Sequence, residues 1–111
     1  MSGLERDLVA QCRDAAARMN CYLVEIGQRD ARRSGTTKGC VDLIVVEAGQ
    51  VVLVEAKRGK TKDTPRGRLR PDQVEFIRRC ADQGVEVPVV DRLADFIEIV
   101  NGCRRHARGK P

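Results

Sequence analysis

The sequence predicts one α/β domain, a mixed central sheet flanked by helices in the order α-β-β-β-α-β-α. Three observations carry that prediction. Three stretches space their apolar residues at the helical period, two neighbouring runs are apolar on both faces as central strands are, and 111 residues leave room for one core and no second. A hydrophobic fraction of 41% without proline, glycine or serine tracts fits a packed globule, not a disordered chain. The domain is therefore read as spanning 1–111.

The first helix is read from Leu4 to Met19, with Leu4, Leu8, Cys12, Ala15, Ala16 and Met19 on one face and Ser2 and Glu5 at capping-box spacing. Cys21 to Ile26 is a short β-rich run, followed by a polar, basic, glycine-bearing loop from Gly27 to Gly39. Val41 to Val46 and Gln50 to Lys57 form a hairpin turning at Ala48-Gly49. After a second basic loop to Arg70, Pro71 opens a helix. Val74, Phe76, Ile77, Cys80 and Ala81 are predicted to face inward, and Gly84 closes it. Val85 to Val90 is a fourth strand, with Pro88 marking an edge or irregularity. Asp91 is read as the cap of a last helix carrying Leu93, Phe96, Ile97 and Val100 inward and ending at Gly102, with a frayed tail from Cys103. The aromatic residues Tyr22, Phe76 and Phe96 are all assigned to the core, which argues against a base-stacking platform.

Composition removes several classes of chemistry. No apolar run exceeds four residues and the first residues lack the order of a signal peptide, so a membrane role is not expected and the expected location is cytoplasmic. Five cysteines without a close pair give neither a disulfide framework nor a zinc motif, and are expected to be reduced, buried small hydrophobes. A single histidine, His106, disfavours Ser-His and Cys-His nucleophiles. Catalysis, if present, must run on carboxylates, lysine and arginine.

The net charge of +5 is unevenly spread: Arg29 to Lys38 carries +3, Arg58 to Arg70 carries +5 and Arg104 to Lys110 carries +4, leaving −7 elsewhere. One basic loop is commonly just a solvated face, but three together fit a polyanionic partner such as the DNA backbone. Asp42 is the one acid in its run, and Glu55 and Lys57 end the next. An even-membered turn at Ala48-Gly49 sets Asp42 across from Glu55, about 5 Å apart at Cβ, whereas an odd turn breaks the relation. Two such carboxylates repel unless a proton or cation lies between them, and hard oxygen ligands suit Mg2+ or Mn2+. Strand alternation puts Lys57 on the face of Glu55. Metal and ammonium together suit phosphodiester hydrolysis, while a structural acid-lysine pair is the plainer alternative.

The order Gly39-Cys40-Val41-Asp42-Leu43, Val54-Glu55-Ala56-Lys57 and Pro71-Asp72-Gln73-Val74-Glu75-Phe76 resembles the PD-(D/E)xK nuclease superfamily, and within it the VRR-NUC domain of stand-alone viral or prophage type. The resemblance implies a restriction-endonuclease-like αβββαβ core, here with a C-terminal helix and basic tail. It also implies that Asp42, Glu55 and the Ala56 carbonyl ligate the metal, that Lys57 is catalytic, and that Gln73 reaches the metal-bound water or Lys57. Glu5 matches an acid such nucleases carry on helix one, and its capping role toward Ser2 explains it equally well. Val41 stands where the family commonly has proline. A phosphate-loop lookalike at Gly59-Lys60-Thr61 fails, because the first glycine of that motif falls on Val54. Arg58, Lys60, Lys62, Arg66, Arg68 and Arg70, with Arg32, Arg33 and Lys38 from the earlier loop, are the candidate phosphate contacts. The resemblance further implies a homodimer resolving four-way (Holliday) junctions. A non-catalytic DNA-binding module and a sequence-specific restriction-type nuclease are the alternatives.

Overall fold

The computed structural model describes residues 3–26, 39–59 and 67–109. The order is α1 (Gly3–Arg18), β1 (Tyr22–Glu25), β2 (Leu43–Glu47), β3 (Gln50–Ala56), α2 (Pro71–Asp82), β4 (Val89–Val90) and α3 (Leu93–Arg108). The strands form one sheet in the order β1-β2-β3-β4, antiparallel except for the parallel β3-β4 pair. This is the predicted mixed sheet, with the two doubly apolar strands at its centre.

The β2-β3 hairpin closes through Ala48 (φ 51) and Gly49 (φ 79), and its register runs from Glu47↔Gln50 to Leu43↔Val54. Two left-handed residues are what a tight two-residue hairpin turn requires. Alternation sends Leu43, Val45, Val54 and Ala56 to the face on which α1 and α3 pack, where Cys12, Ala16, Phe96 and Val100 complete a fully buried core. Asp42, Glu55 and Lys57 fall on the opposite face.

Several sequence expectations change. The fourth strand contracts to Val89–Val90, because Val85 and Glu86 lie exposed and Pro88 has no N–H for a ladder; its carbonyl still accepts from Glu55. The last helix is preceded by Arg92, not Asp91, in the cap position and has no side-chain cap. It also runs through Gly102 to Arg108. The tail is not frayed, because Cys103 is buried and Arg104 donates to both the Glu47 carboxylate and the Met19 carbonyl. Those contacts outweigh the roughly 1 kcal/mol that a mid-helix glycine costs.

The second helix departs most from expectation. Its one buried residue is Gln73, Val74 is half exposed, Ala81 is exposed, and Phe76, Ile77 and Cys80 are only half-buried. Leu53, Phe76, Cys80 and Val85, with Asp72, Glu75, Arg79 and Gln83 beside them, line an open groove of about 560 Å3. Of the aromatic residues, Phe96 alone is core, since Tyr22 is 67% exposed. All five cysteines are free thiols, with Cys12, Cys21 and Cys103 buried and Cys40 and Cys80 half-buried. Burial pushes the Cys12 thiol up to about 11, as an inert packing residue requires. No helix among the described residues is long and apolar enough to cross a membrane.

Candidate active site

The site forms where β2 and β3 end and the ladder between them runs out. In the β2-β3 register the N–H of Ala56 points toward β2, which no longer pairs there. The side chain of Asp42 replaces the missing strand, its Oδ2 accepting from Ala56 N at 3.1 Å. The Asp42 carbonyl in turn accepts from Ile26 N at 2.8 Å, so β1 fixes this residue from the other side. A strand residue directs its N–H and C=O to the same neighbour, so the Ala56 carbonyl also faces the Asp42 side.

On the other edge, β4 holds the backbone of the two remaining strand residues. Glu55 N donates to the Pro88 carbonyl at 3.0 Å and Lys57 N to the Val90 carbonyl at 2.9 Å. The side chains of Glu55 and Lys57 therefore leave the same face two residues apart, as the sequence predicts.

Gln73 enters from the first turn of α2. Its Oε1 accepts from Arg70 N at 2.9 Å and its Nε2 donates to Glu55 Oε1 at 2.9 Å. The backbone at the start of the helix thus fixes the amide orientation, and the donor end is left for the carboxylate. Its partner is Glu55 itself, where the sequence reading expected a metal-bound water or Lys57.

Glycine makes the docking of α2 possible. Gly39 has φ +76, and a Cβ on it would lie 2.2 Å from the Asp72 carbonyl oxygen and 2.7 Å from Gln73 N. Backbone cannot yield at that distance, so only glycine lets the chain before Asp42 pass under the residue that positions Gln73. A Cβ on Gly59 would likewise meet the Asp91 carbonyl at 2.6 Å, which seats the chain leaving Lys57 against the start of α3. Sequence reasoning missed both roles; the glycines themselves were its only available signal, since the contacted backbone lies far along the chain.

Asp42, Glu55, Lys57 and Gln73 are 4%, 1%, 5% and 2% exposed, and among the described residues they are the only buried polar or charged side chains. Burial, then the hydrogen bond and negative charge of Asp42, push the Glu55 carboxyl up to about 9, against the opposing pull of Lys57 and Arg70. At neutral pH the Glu55 carboxyl therefore keeps its proton. Two buried carboxylates so placed, with a backbone carbonyl on the same side, are a hard-oxygen donor set that fits a divalent cation. No group of three His, Cys, Asp or Glu side chains able to hold a metal occurs among the described residues, so Glu5 does not join Asp42 and Glu55 in a three-acid set. Glu5 stands in the first turn of α1, and Ser2, its candidate capping partner, lies outside the described residues.

Of the candidate phosphate contacts, Arg58, Arg68 and Arg70 are described. Gly67 N donates to the Arg58 carbonyl at 2.9 Å, which closes the base of the basic loop beside the site. Arg68 and Arg70 are exposed, and Arg70 pairs with Asp72 at 3.3 Å while its charge reaches Glu55. Lys60, Lys62, Arg66, Arg32, Arg33 and Lys38 lie outside the described residues.

No family model matches the sequence, and no curated protein does. A solved structure described as a VRR_NUC domain protein does match in three dimensions, with a TM-score of 0.68 over 95% of this chain and 91% of that one at 17% identity. The chain has the fold of a VRR_NUC domain protein. That likeness extends over nearly the whole chain and so includes α3, which the sequence reading had set outside the core.

Proposed function

We propose that this protein is a divalent-metal-dependent endonuclease that hydrolyses phosphodiester bonds in DNA. The observation that carries the proposal is the convergence of Asp42, Glu55, Lys57 and Gln73 as the only buried polar side chains described. Burying four such groups is costly, and nothing in packing the core requires it. A purely structural acid-lysine pair would need neither a second carboxylate nor an oriented amide.

Asp42, Glu55 and the Ala56 carbonyl are the groups that would hold the cation, in keeping with Mg2+ or Mn2+. When bound, such an ion polarises a phosphoryl oxygen and lowers the pKa of a coordinated water. The rest of the work falls to the protein. Lys57, on the same face as Glu55, supplies fixed positive charge to the phosphoryl group as negative charge builds on it. Gln73 Nε2 donates to Glu55 Oε1 and so fixes the orientation of that carboxylate. The Ala56 N–H holds Asp42 in place, and Arg58, Arg68 and Arg70 would neutralise flanking phosphates.

Four-way-junction DNA is the substrate we propose, cut by a homodimer whose two sites match the two-fold symmetry of the junction. The open apolar groove along α2 supports a second copy, since Phe76, Cys80, Leu53 and Val85 are only partly covered there by the described residues. The test is cleavage of a labelled immobile junction beside a linear duplex of matched sequence, in Mg2+ or Mn2+, with Lys57→Ala in parallel. Paired nicks at the junction are expected, falling by about 100-fold or more in the variant and disappearing with chelator. A junction that is bound but left intact in both metals would overturn the nuclease reading and favour a DNA-binding module. Preference for one linear sequence would favour a restriction-type enzyme instead.

A further inference from the structure

Hydrolysis of a phosphodiester builds negative charge in two places, on the phosphoryl oxygens and on the oxygen that departs. Asp42, Glu55 and the Ala56 carbonyl form the donor set of one cation, and among the described residues no third acid joins them. A pair of ions clamping both oxygens needs ligands for each. Charge on the departing oxygen is therefore left to cationic side chains of the chain itself.

Lys57, on the Glu55 face, serves the phosphoryl group. Arg58 leaves the chain on the other face, and its stem is taken up in closing the basic loop, since a Cβ on Gly67 would lie 3.1 Å from Arg58 Cγ. Arg68 is exposed, and no ion pair fixes it among the described residues. Arg70, by contrast, is held three ways. Its N–H donates to Gln73 Oε1 at 2.9 Å, its carbonyl accepts from Val74 N at 3.0 Å and its Nε donates to Asp72 Oδ1 at 3.3 Å. The first bond sets Arg70 beside the amide whose other end holds Glu55, and the Arg70 charge is felt at that carboxylate. Asp72 engages Nε alone. The two terminal nitrogens of the guanidinium have no partner among the described residues and the side chain is 57% exposed, so a forked donor remains for an anion. An exposed Arg-Asp pair adds little to stability, and the first turn of α2 is already seated through Gly39 and Gln73.

We propose that Arg70 is a catalytic residue that neutralises the oxygen departing from phosphorus, with Asp72 as its positioning residue. Of the three arginines placed at phosphates above, this assigns Arg70 to the reacting one; it rests on the nuclease reading and deepens it. The oxygen of water bonds to phosphorus, and the bond to the departing oxygen breaks with both electrons going to that oxygen. One proton of the water passes to solvent and the departing oxygen takes one back. Arg70 stays protonated throughout, as a guanidinium does, and acts by charge and hydrogen bonding.

The test is a junction with sulfur in place of the departing oxygen at the mapped cut, because sulfur carries negative charge far more readily than an alcohol oxygen. In single-turnover cleavage, Arg70→Gln should fall about 100-fold on the oxygen junction and no more than about 3-fold on the sulfur one. Lys57→Ala should lose both alike, and Asp72→Asn should lose part of the rate on the oxygen junction alone. Arg70→Lys, which keeps the charge and the backbone bonds, should regain part of it, and thermal unfolding checks that each variant is folded. In chelator, Arg70→Gln should flatten the slope of log affinity against log salt by about 0.9, the loss of one phosphate contact. An unchanged slope would show that Arg70 does not touch the DNA, and equal losses on both junctions would place it at a flanking phosphate; either overturns the proposal. If the native protein cuts neither junction the nuclease reading itself fails, whereas cleavage that needs Lys57 and ignores Arg70→Gln removes Arg70 alone.

Discussion

The two ends of the β2-β3 hairpin carry acids in the same sheet and register, and the protein treats them in opposite ways. At the turn end Glu47 is held by Arg104, a cation built into α3. At the open end Glu55 faces Asp42 and the amide of Gln73, and burial raises its carboxyl to about 9. The first acid is satisfied by the chain and fastens a helix. The second is buried beside another carboxylate, and such a pair presents the hard oxygen donors that suit a divalent cation. The comparison separates a structural acid from a site acid by what the fold provides, where the sequence shows two glutamates in apolar strands.

The largest effect is expected from breaking the open end without touching any polar group. Gly39→Ala would drive a methyl into the Asp72 carbonyl and strain a left-handed backbone, destabilising the protein by about 3 kcal/mol. Cleavage should fall further than the loss of folded protein explains, because Gln73 is displaced from Glu55. Thermal unfolding beside single-turnover cleavage separates the two; native activity in a stably folded variant would show that the α2 docking is dispensable.

A second prediction concerns the proton held at the open end. Glu55 has an ordinary value of 4.5 and is raised to about 9 in the fold, so between those values the folded state binds more protons than the unfolded chain. Its contribution to stability is thus fully present below about 4.5 and is lost as pH rises through about 9. Metal-free protein should lose unfolding temperature across that window, and Glu55→Gln should remove much of the decline. Mg2+ or Mn2+ should stabilise the native protein increasingly as pH rises, because binding must displace the proton. A pH-independent metal effect would contradict the protonated Glu55.

The turn end should give the smallest response. Arg104→Ala strips the Glu47 carboxylate and the Met19 carbonyl of a shared donor, a loss of about 2 kcal/mol, while metal-dependent stabilisation stays as in the native chain. Chemical denaturation with and without metal reads both. If the metal effect collapsed as well, the two ends would be coupled and the contrast between them would not hold.

Much of this was legible in the chain. Apolar periodicity defined the helices, an even turn at Ala48-Gly49 set Asp42 against Glu55, and Pro71 marked the helix start that brings Gln73 in. These are local or near-local relations, governed by the repeat of a helix or strand and the geometry of a tight turn. Other features depended on residues meeting across the fold. Gly102 read as a stop, yet α3 continues because Arg104 finds partners on α1 and β2. The inward face of α2 read as core, yet only its first turn is seated, since Gly39 and Glu55 engage it there and leave Phe76 at an open groove. The sequence by itself determined the element order, the hairpin register and the identity of the polar residues at its open end. Only the tertiary structure decided that Arg104 pairs with Glu47, which way the Gln73 amide points and where α3 ends, because each depends on a partner distant in sequence whose approach no local pattern encodes.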